Sequence, residues 1–122
     1  MSPLDTRSGQ NELPLVDAAQ FGAMRNALGA ELDEVIGEFF ANCETFSMRL
    51  GALALAADAA GLREVCHEIR GAAGILGFAR IAGRATHWEL LAMDGWTPAA
   101  EVVTGEFESL VAATRQALDD GR

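Results

Sequence analysis

The sequence predicts an all-α fold: an antiparallel up-and-down four-helix bundle with an additional short N-terminal helix. Three observations carry this. Half of the 122 residues are apolar, Ala and Leu recur throughout, prolines number three and tyrosine is absent, a mixture that favours helix over strand. One long segment repeats its apolar residues at alternating steps of four and three, the period of a helix with a buried seam. Helix start and stop residues punctuate the chain at helix-length intervals.

The elements follow in order. Residues 1–14 hold Ser, Gly, Gln, Asn and two of the three prolines and read as a flexible lead-in. Residues 15–122 read as a single helical bundle domain, since a chain of this length has room for one modest core. Asp17 is placed to cap a short helix whose apolar residues are Phe21, Met24 and Leu28, with Gly29 as its stop. A long helix from about Glu31 to Ala57 follows, its seam being Leu32, Ile36, Phe39, Cys43, Phe46, Leu50 and Leu53. Asp58 caps a third helix that runs to about Gly77. A fourth, from about Ala79 to Met93, turns Ile81, Ala85, Trp88 and Ala92 inward, with Gly95 beyond its end. Thr97 and Pro98, a cap followed by a first-turn proline, start the last helix, which buries Val103, Phe107, Leu110, Thr114 and Ala117. Short connections make these four helices antiparallel neighbours, and the first helix packs across one end or flank.

Charge and composition narrow the function. A net charge of −9 repels phosphate backbones and anionic lipid, which argues against a nucleic-acid or membrane-surface role. No apolar run reaches the roughly 18 residues that a membrane span needs. The N-terminus has neither the basic start nor the apolar stretch of a signal peptide. Cys43 and Cys66 read as reduced thiols in a cytoplasmic protein.

The third helix breaks the pattern of a plain bundle. On a helical wheel Leu62, Val65, Ile69, Ala72 and Leu76 cluster near roughly 320°, whereas His67 falls near roughly 140° and faces solvent. Arg63, Arg70, Gly71, Gly74 and Phe78 share the histidine's side, from about 80° to about 180°. Glycine inside a helix costs about 1 kcal/mol relative to alanine. Gly71 and Gly74 together could therefore cost about 2 kcal/mol, although Ala72 and Ala73 lie beside them. Their absent side chains clear space beside His67 for another backbone to approach. Arg70, one turn on, can hold a phosphoryl oxygen by charge-assisted hydrogen bonds. Imidazole is a good nucleophile near neutral pH, and an exposed histidine on a rigid helix permits the in-line approach that phosphoryl transfer requires.

The run His67-Glu68-Ile69-Arg70-Gly71-Ala72-Ala73-Gly74-Ile75-Leu76-Gly77 resembles the signature of histidine-containing phosphotransfer (HPt) domains. That signature is a histidine, any residue, an aliphatic, a lysine or arginine, a glycine, then small residues leading to an aliphatic–glycine pair. Ile81, Ala85, Trp88 and Glu89 sit where the family places an aliphatic, a small residue, an apolar residue and an acid. Phe21, Leu28-Gly29 and Phe39-Phe40 resemble its first two helices, so the likeness covers about residues 15 to 119. Arg70 replaces the family's commoner lysine, and Ala85 and Trp88 replace the commoner Cys and Leu.

The resemblance implies that His67 is the phosphoacceptor and that Arg70 stabilises the phosphoryl group. Arg63, Gly71, Gly74 and Phe78 would form the docking surface, with neighbouring residues of the long second helix. The implied partners are receiver domains of response regulators, whose aspartates give and take the phosphoryl group, and a hybrid histidine kinase. The chain would work as a monomer without a cofactor of its own, the receiver bringing its magnesium. It has no ATP-binding motif.

Two other readings stay open: a docking-only helical module of the same fold, and a histidine-kinase dimerisation bundle, whose phosphoacceptor helix often carries a His-Glu pair such as His67-Glu68. A metal set drawn from Cys43, Cys66, His67 and His87 lacks zinc-ligand spacing. His87 reads as a surface or partly packed residue, and Trp88 and Trp96 as packing residues. Glu31, Asp33, Glu34 and Glu38 read as a solvated helix start favoured by the dipole.

Overall fold

The computed structural model describes residues 13–121, which form five helices and no strand among the described residues. The helices are α1 (Ala18–Leu28), α2 (Glu31–Leu55), α3 (Ala59–Ile75), α4 (Ala79–Met93) and α5 (Ala100–Asp120). The flexible segment expected at the N-terminus falls mostly on residues 1–12, outside the described residues. Leu13, expected to belong to it, is tied down: its carbonyl accepts from Arg80 Nε at 2.8 Å and its side chain lies over Gly83.

The caps explain where the helices start. Asp17 accepts from the amides of Ala19 and Gln20, and Asp58 from that of Gly61, so each satisfies amides that have no partner within the helix. α2 lacks a side-chain cap but carries Glu31, Asp33 and Glu34 in its first turn, against the positive end of its dipole. α5 departs from expectation. It begins at Ala100 behind an uncapped Ala99, so Thr97 and Pro98 lie in the connection instead of the first turn. The reason lies just upstream: Trp96 closes the end of α4 through its N–H to Leu91 O and packs its ring on the core. The chain must then extend before it can turn into α5.

Three helices end in the same pair of bonds, in which the second residue past the cap reaches back to the third-last carbonyl: Asp58 to Leu53, Phe78 to Ala73, and Trp96 to Leu91. This geometry puts the intervening residue in the left-handed region. Gly77 (φ 82°) and Gly95 (φ 90°) suit it, but the third position is Ala57 (φ 53°), and a side chain there costs about 1 kcal/mol. Ala57→Gly is expected to raise stability by about 0.5–1 kcal/mol, visible as a melting temperature higher by roughly 2–4 °C. An unchanged or lower melting temperature would argue against strain at this turn.

α3 packs along α4, α2 along α5, and α2 beside α3, while α4 and α5 meet only slightly. Contacts between α2 and α5 run in opposite directions along the two helices. Phe40 meets Arg115, Ser47 meets Glu108 and Gly51 meets Thr104, as antiparallel neighbours require. The core holds Leu32, Ile36, Phe39, Cys43, Phe46 and Leu50 from α2, Leu62, Val65 and Ile69 from α3, Ile81, Ala85 and Trp88 from α4, and Val103 and Phe107 from α5. α1 closes one end. Asp17 N–H donates to Gly77 O at 2.7 Å, Gln20 Nε2 donates to Ile75 O at 2.8 Å, and Phe21 stacks on Phe78. Gly77 serves this docking as well as its turn: a Cβ there would stand 2.9 Å from Phe21 N and 3.0 Å from Asp17 O. Among the described residues no helix is long and apolar enough to cross a membrane.

Candidate functional site

α3 buries Leu62, Val65, Cys66, Ile69 and Ala73, a stripe somewhat wider on the α4 side than the wheel suggests. His67 lies opposite, its side chain 63% exposed. Its neighbours are held from both flanking helices. On the α4 side, Glu89 is only 14% exposed and places Oε2 3.0 Å from His67 Nδ1 and Oε1 3.3 Å from Arg70 Nε. Arg70 Nη2 lies 2.7 Å from the same Nδ1. On the α2 side, Arg49 donates through both terminal nitrogens to Glu68, at 3.0 and 2.7 Å. This fork fixes the rotation of α2 against α3 at the histidine's own level. The Arg49 guanidinium draws the Glu68 carboxyl below its usual range, while the bond to Glu68 pushes Arg49 up. Both side chains are substantially exposed, so the pair serves geometry more than stability.

Arg63 lines a shallow groove with His67, Glu64, Glu89 and Met93. Gly71 and Gly74 are exposed, with no atom within 4 Å of where a Cβ would stand and no positive φ. Nothing inside the fold requires glycine at either position. The result is a patch of bare helix beside the imidazole, and Ile75 stands beyond it, 57% exposed.

Phe78 does not belong to this patch and corrects the expectation. It is fully buried, its ring 5.1 Å from that of Phe39 and 5.8 Å from that of Phe40. The wheel assumes an unbroken helix, but α3 ends at Ile75 and the left-handed Gly77 redirects the chain, which turns Phe78 into the core.

Glu89 is the residue that sequence reasoning left outside the site. Its contact with His67 spans 22 positions, beyond any local pattern, and an acid near the end of a helix looks like any solvated glutamate. The one sequence signal was its match to the acidic position of the HPt resemblance. Among the described residues no three His, Cys, Asp or Glu side chains gather as a metal set. Cys66, adjacent to His67, points into the core, where burial pushes its thiol up to about 12. His87 is half-buried on the α5 side of α4, near Arg84 and Glu106.

The helical bundle thus displays an imidazole from the middle of a helix on an open surface, braced by an acid and an arginine, instead of enclosing it in a pocket. The chain belongs to the Hpt domain family, whose model matches residues 34–118; this is the family of histidine phosphotransfer in two-component systems. Among solved structures it resembles the crystal structure of histidine-containing phosphotransfer protein B (HptB) from Pseudomonas aeruginosa PAO1. That match has a TM-score of 0.80 at 22% identity and covers 88% of this chain and 94% of that one, a likeness of fold. A comparison with curated proteins finds no match.

Proposed function

We propose that this chain relays a phosphoryl group between aspartates of receiver domains through a phosphohistidine at His67. The observation that carries the reading is the exposed imidazole, braced at Nδ1 by Glu89 and Arg70, beside a helix surface stripped of side chains at Gly71 and Gly74. An imidazole lone pair attacks phosphorus and forms the N–P bond. The P–O bond of the aspartyl phosphate breaks, and its electrons return to the aspartate carboxylate. The return step is the same displacement run backwards. Arg70, half-exposed beside the ring, offers guanidinium hydrogen bonds to the equatorial oxygens, and the receiver supplies magnesium for the remaining charge. The chain acts as a monomer in the cytoplasm, with receiver domains and a hybrid histidine kinase as its partners.

The test is transfer of label from phosphorylated receiver domains to the folded chain. Acid-labile, alkali-stable label supports the relay. Absence of label across a panel of receivers that nonetheless bind would leave a docking-only module.

The glycines make a sharper prediction. In Gly71→Leu the added Cβ meets no atom within 4 Å at this exposed position and leucine improves helix propensity, so the melting temperature should hold or rise. Transfer from the receiver should nevertheless fall on the order of 10–100-fold, because an added side chain holds the two backbones apart at the reacting distance. Undiminished transfer by Gly71→Leu would remove the close-approach argument.

A further inference from the structure

The carboxylates around His67 oppose the approach of an anionic donor. Glu64 and Glu68 stand three residues before and one residue after it on α3, and Glu89 faces it from α4. A phosphoryl group arrives with negative charge on its oxygens, and docking removes water that would otherwise screen these acids. The face is nevertheless balanced. Arg49, Arg63 and Arg70 set three guanidiniums against the three carboxylates, on a chain whose net charge is −9. Arg70 holds Glu89 from along α3, its Nε 3.3 Å from Oε1. Arg49 does the same for Glu68 from α2: its Nη1 and Nη2 donate to the two carboxylate oxygens at 3.0 and 2.7 Å, and its charge also acts on Glu64. The fork occupies both Glu68 oxygens and draws the carboxylate toward α2, on the opposite flank from the Glu89 that braces the imidazole. Its members are 39% and 51% exposed, so the pair adds little to stability. Phe46, Leu50, Leu62 and Val65, all buried in the shared core, pack α2 against α3 without it.

We propose that Arg49 is a positioning residue that masks Glu68, holding this carboxylate on the α2 side of α3 so that an anionic phosphoryl donor meets a locally neutral surface at His67. The proposal deepens the relay reading and rests on it for the identity of the donor, the aspartyl phosphate of a receiver. The bonds made and broken are those of the relay, and Arg49 changes only the work of bringing like charges together. One unmasked carboxylate about 8 Å from a dianionic phosphoryl group, in water, corresponds to about fivefold in rate at low ionic strength. Near 1 M salt the screening length falls to about 3 Å and most of that penalty disappears. A residue that only fastened α2 to α3 would act through geometry, which salt does not screen and which removal of Glu68 would not restore.

The experiment is a double-mutant cycle on the rate of transfer from a phosphorylated receiver, run at low and at high salt. Wild type is compared with Arg49→Gln, Glu68→Gln and the variant carrying both changes, with circular dichroism as a check on each fold. Arg49→Gln is expected to slow transfer about fivefold at low salt, a deficit relative to wild type that mostly closes near 1 M. Glu68→Gln should match or exceed wild type, and the double variant should return to its rate, because the charge that needed masking is gone. If Glu68→Gln is as slow as Arg49→Gln, the pair is a brace and the proposal fails. If the double variant stays as slow as Arg49→Gln, the arginine meets the partner itself and the masking role is equally overturned. Labelling by phosphoramidate, a small anionic donor that needs no receiver, should rank the four proteins in the same order with a smaller spread, about twofold for its single charge. That order with no transfer from any receiver would sink the relay and leave the masking role standing. Four equal rates with both donors would remove the masking role.

Discussion

His67→Gln should accept no label from a phosphorylated receiver, while the wild-type chain takes up acid-labile, alkali-stable phosphate. The effect is expected to be total, because the substitution removes the only imidazole on the open face of α3. The fold should survive it. His67 is 63% exposed and contributes nothing to the core, and a surface change of this kind shifts stability by about 0.5 kcal/mol or less. Glutamine has similar reach and carries an amide that can still donate to Glu89, so the neighbouring contacts are not left empty. Equal labelling of both proteins would move the site elsewhere. The remaining histidine is a poor substitute: His87 is half-buried against α5, and its burial together with the Arg84 guanidinium holds its pKa below the ordinary range. The glycine one turn before it, Gly83, is covered by the Leu13 side chain.

Most of the scaffold and the exposed placement of His67 at the centre of the candidate site could be read in the chain, for physical reasons that also mark where reading stops. The α2 seam from Leu32 to Leu50 was visible because a buried stripe repeats with the helix period, and six residues in phase leave little freedom. His67 was visible by the converse argument, as a residue out of phase with Leu62, Val65 and Ile69 on its own helix. Gly71 and Gly74 stood out by their cost. What the chain did not disclose lies where order along the helix gives way to contacts between helices. Glu89 reaches His67 from α4, and Arg49 reaches Glu68 from α2, and neither pairing has a period to betray it. Gly77 was read as a stop, and only the packed α1 shows that its missing side chain also admits Asp17 and Phe21. Thr97 and Pro98 carried a valid start signal that the anchoring of Trp96 overrode.

Phe78 puts that boundary to the test, because the wheel and the fold assign it opposite roles. If it belongs to the core, Phe78→Ala should cost about 3–5 kcal/mol, the usual range for deleting a buried aromatic ring. That loss is a large share of the roughly 5–15 kcal/mol by which such domains are stable. The site makes the upper half of the range reasonable. The ring is fully buried and touches those of Phe21, Phe39 and Phe40, so its removal empties the junction of α1, α2 and the α3–α4 turn at once. Chemical denaturation should show a lower midpoint, and α1 should lose amide protection first, since Phe21 and the bonds of Asp17 and Gln20 are what hold it to that turn. A milder variant separates the two roles. Phe78→Leu keeps most of the apolar volume and should remain folded, losing stability but transferring phosphoryl groups at close to the wild-type rate. If Phe78→Leu were as stable as wild type and failed to transfer, Phe78 would belong on the docking face after all. A destabilised variant with intact transfer places it beneath the site, where it fixes the turn at the end of α3 without meeting the partner.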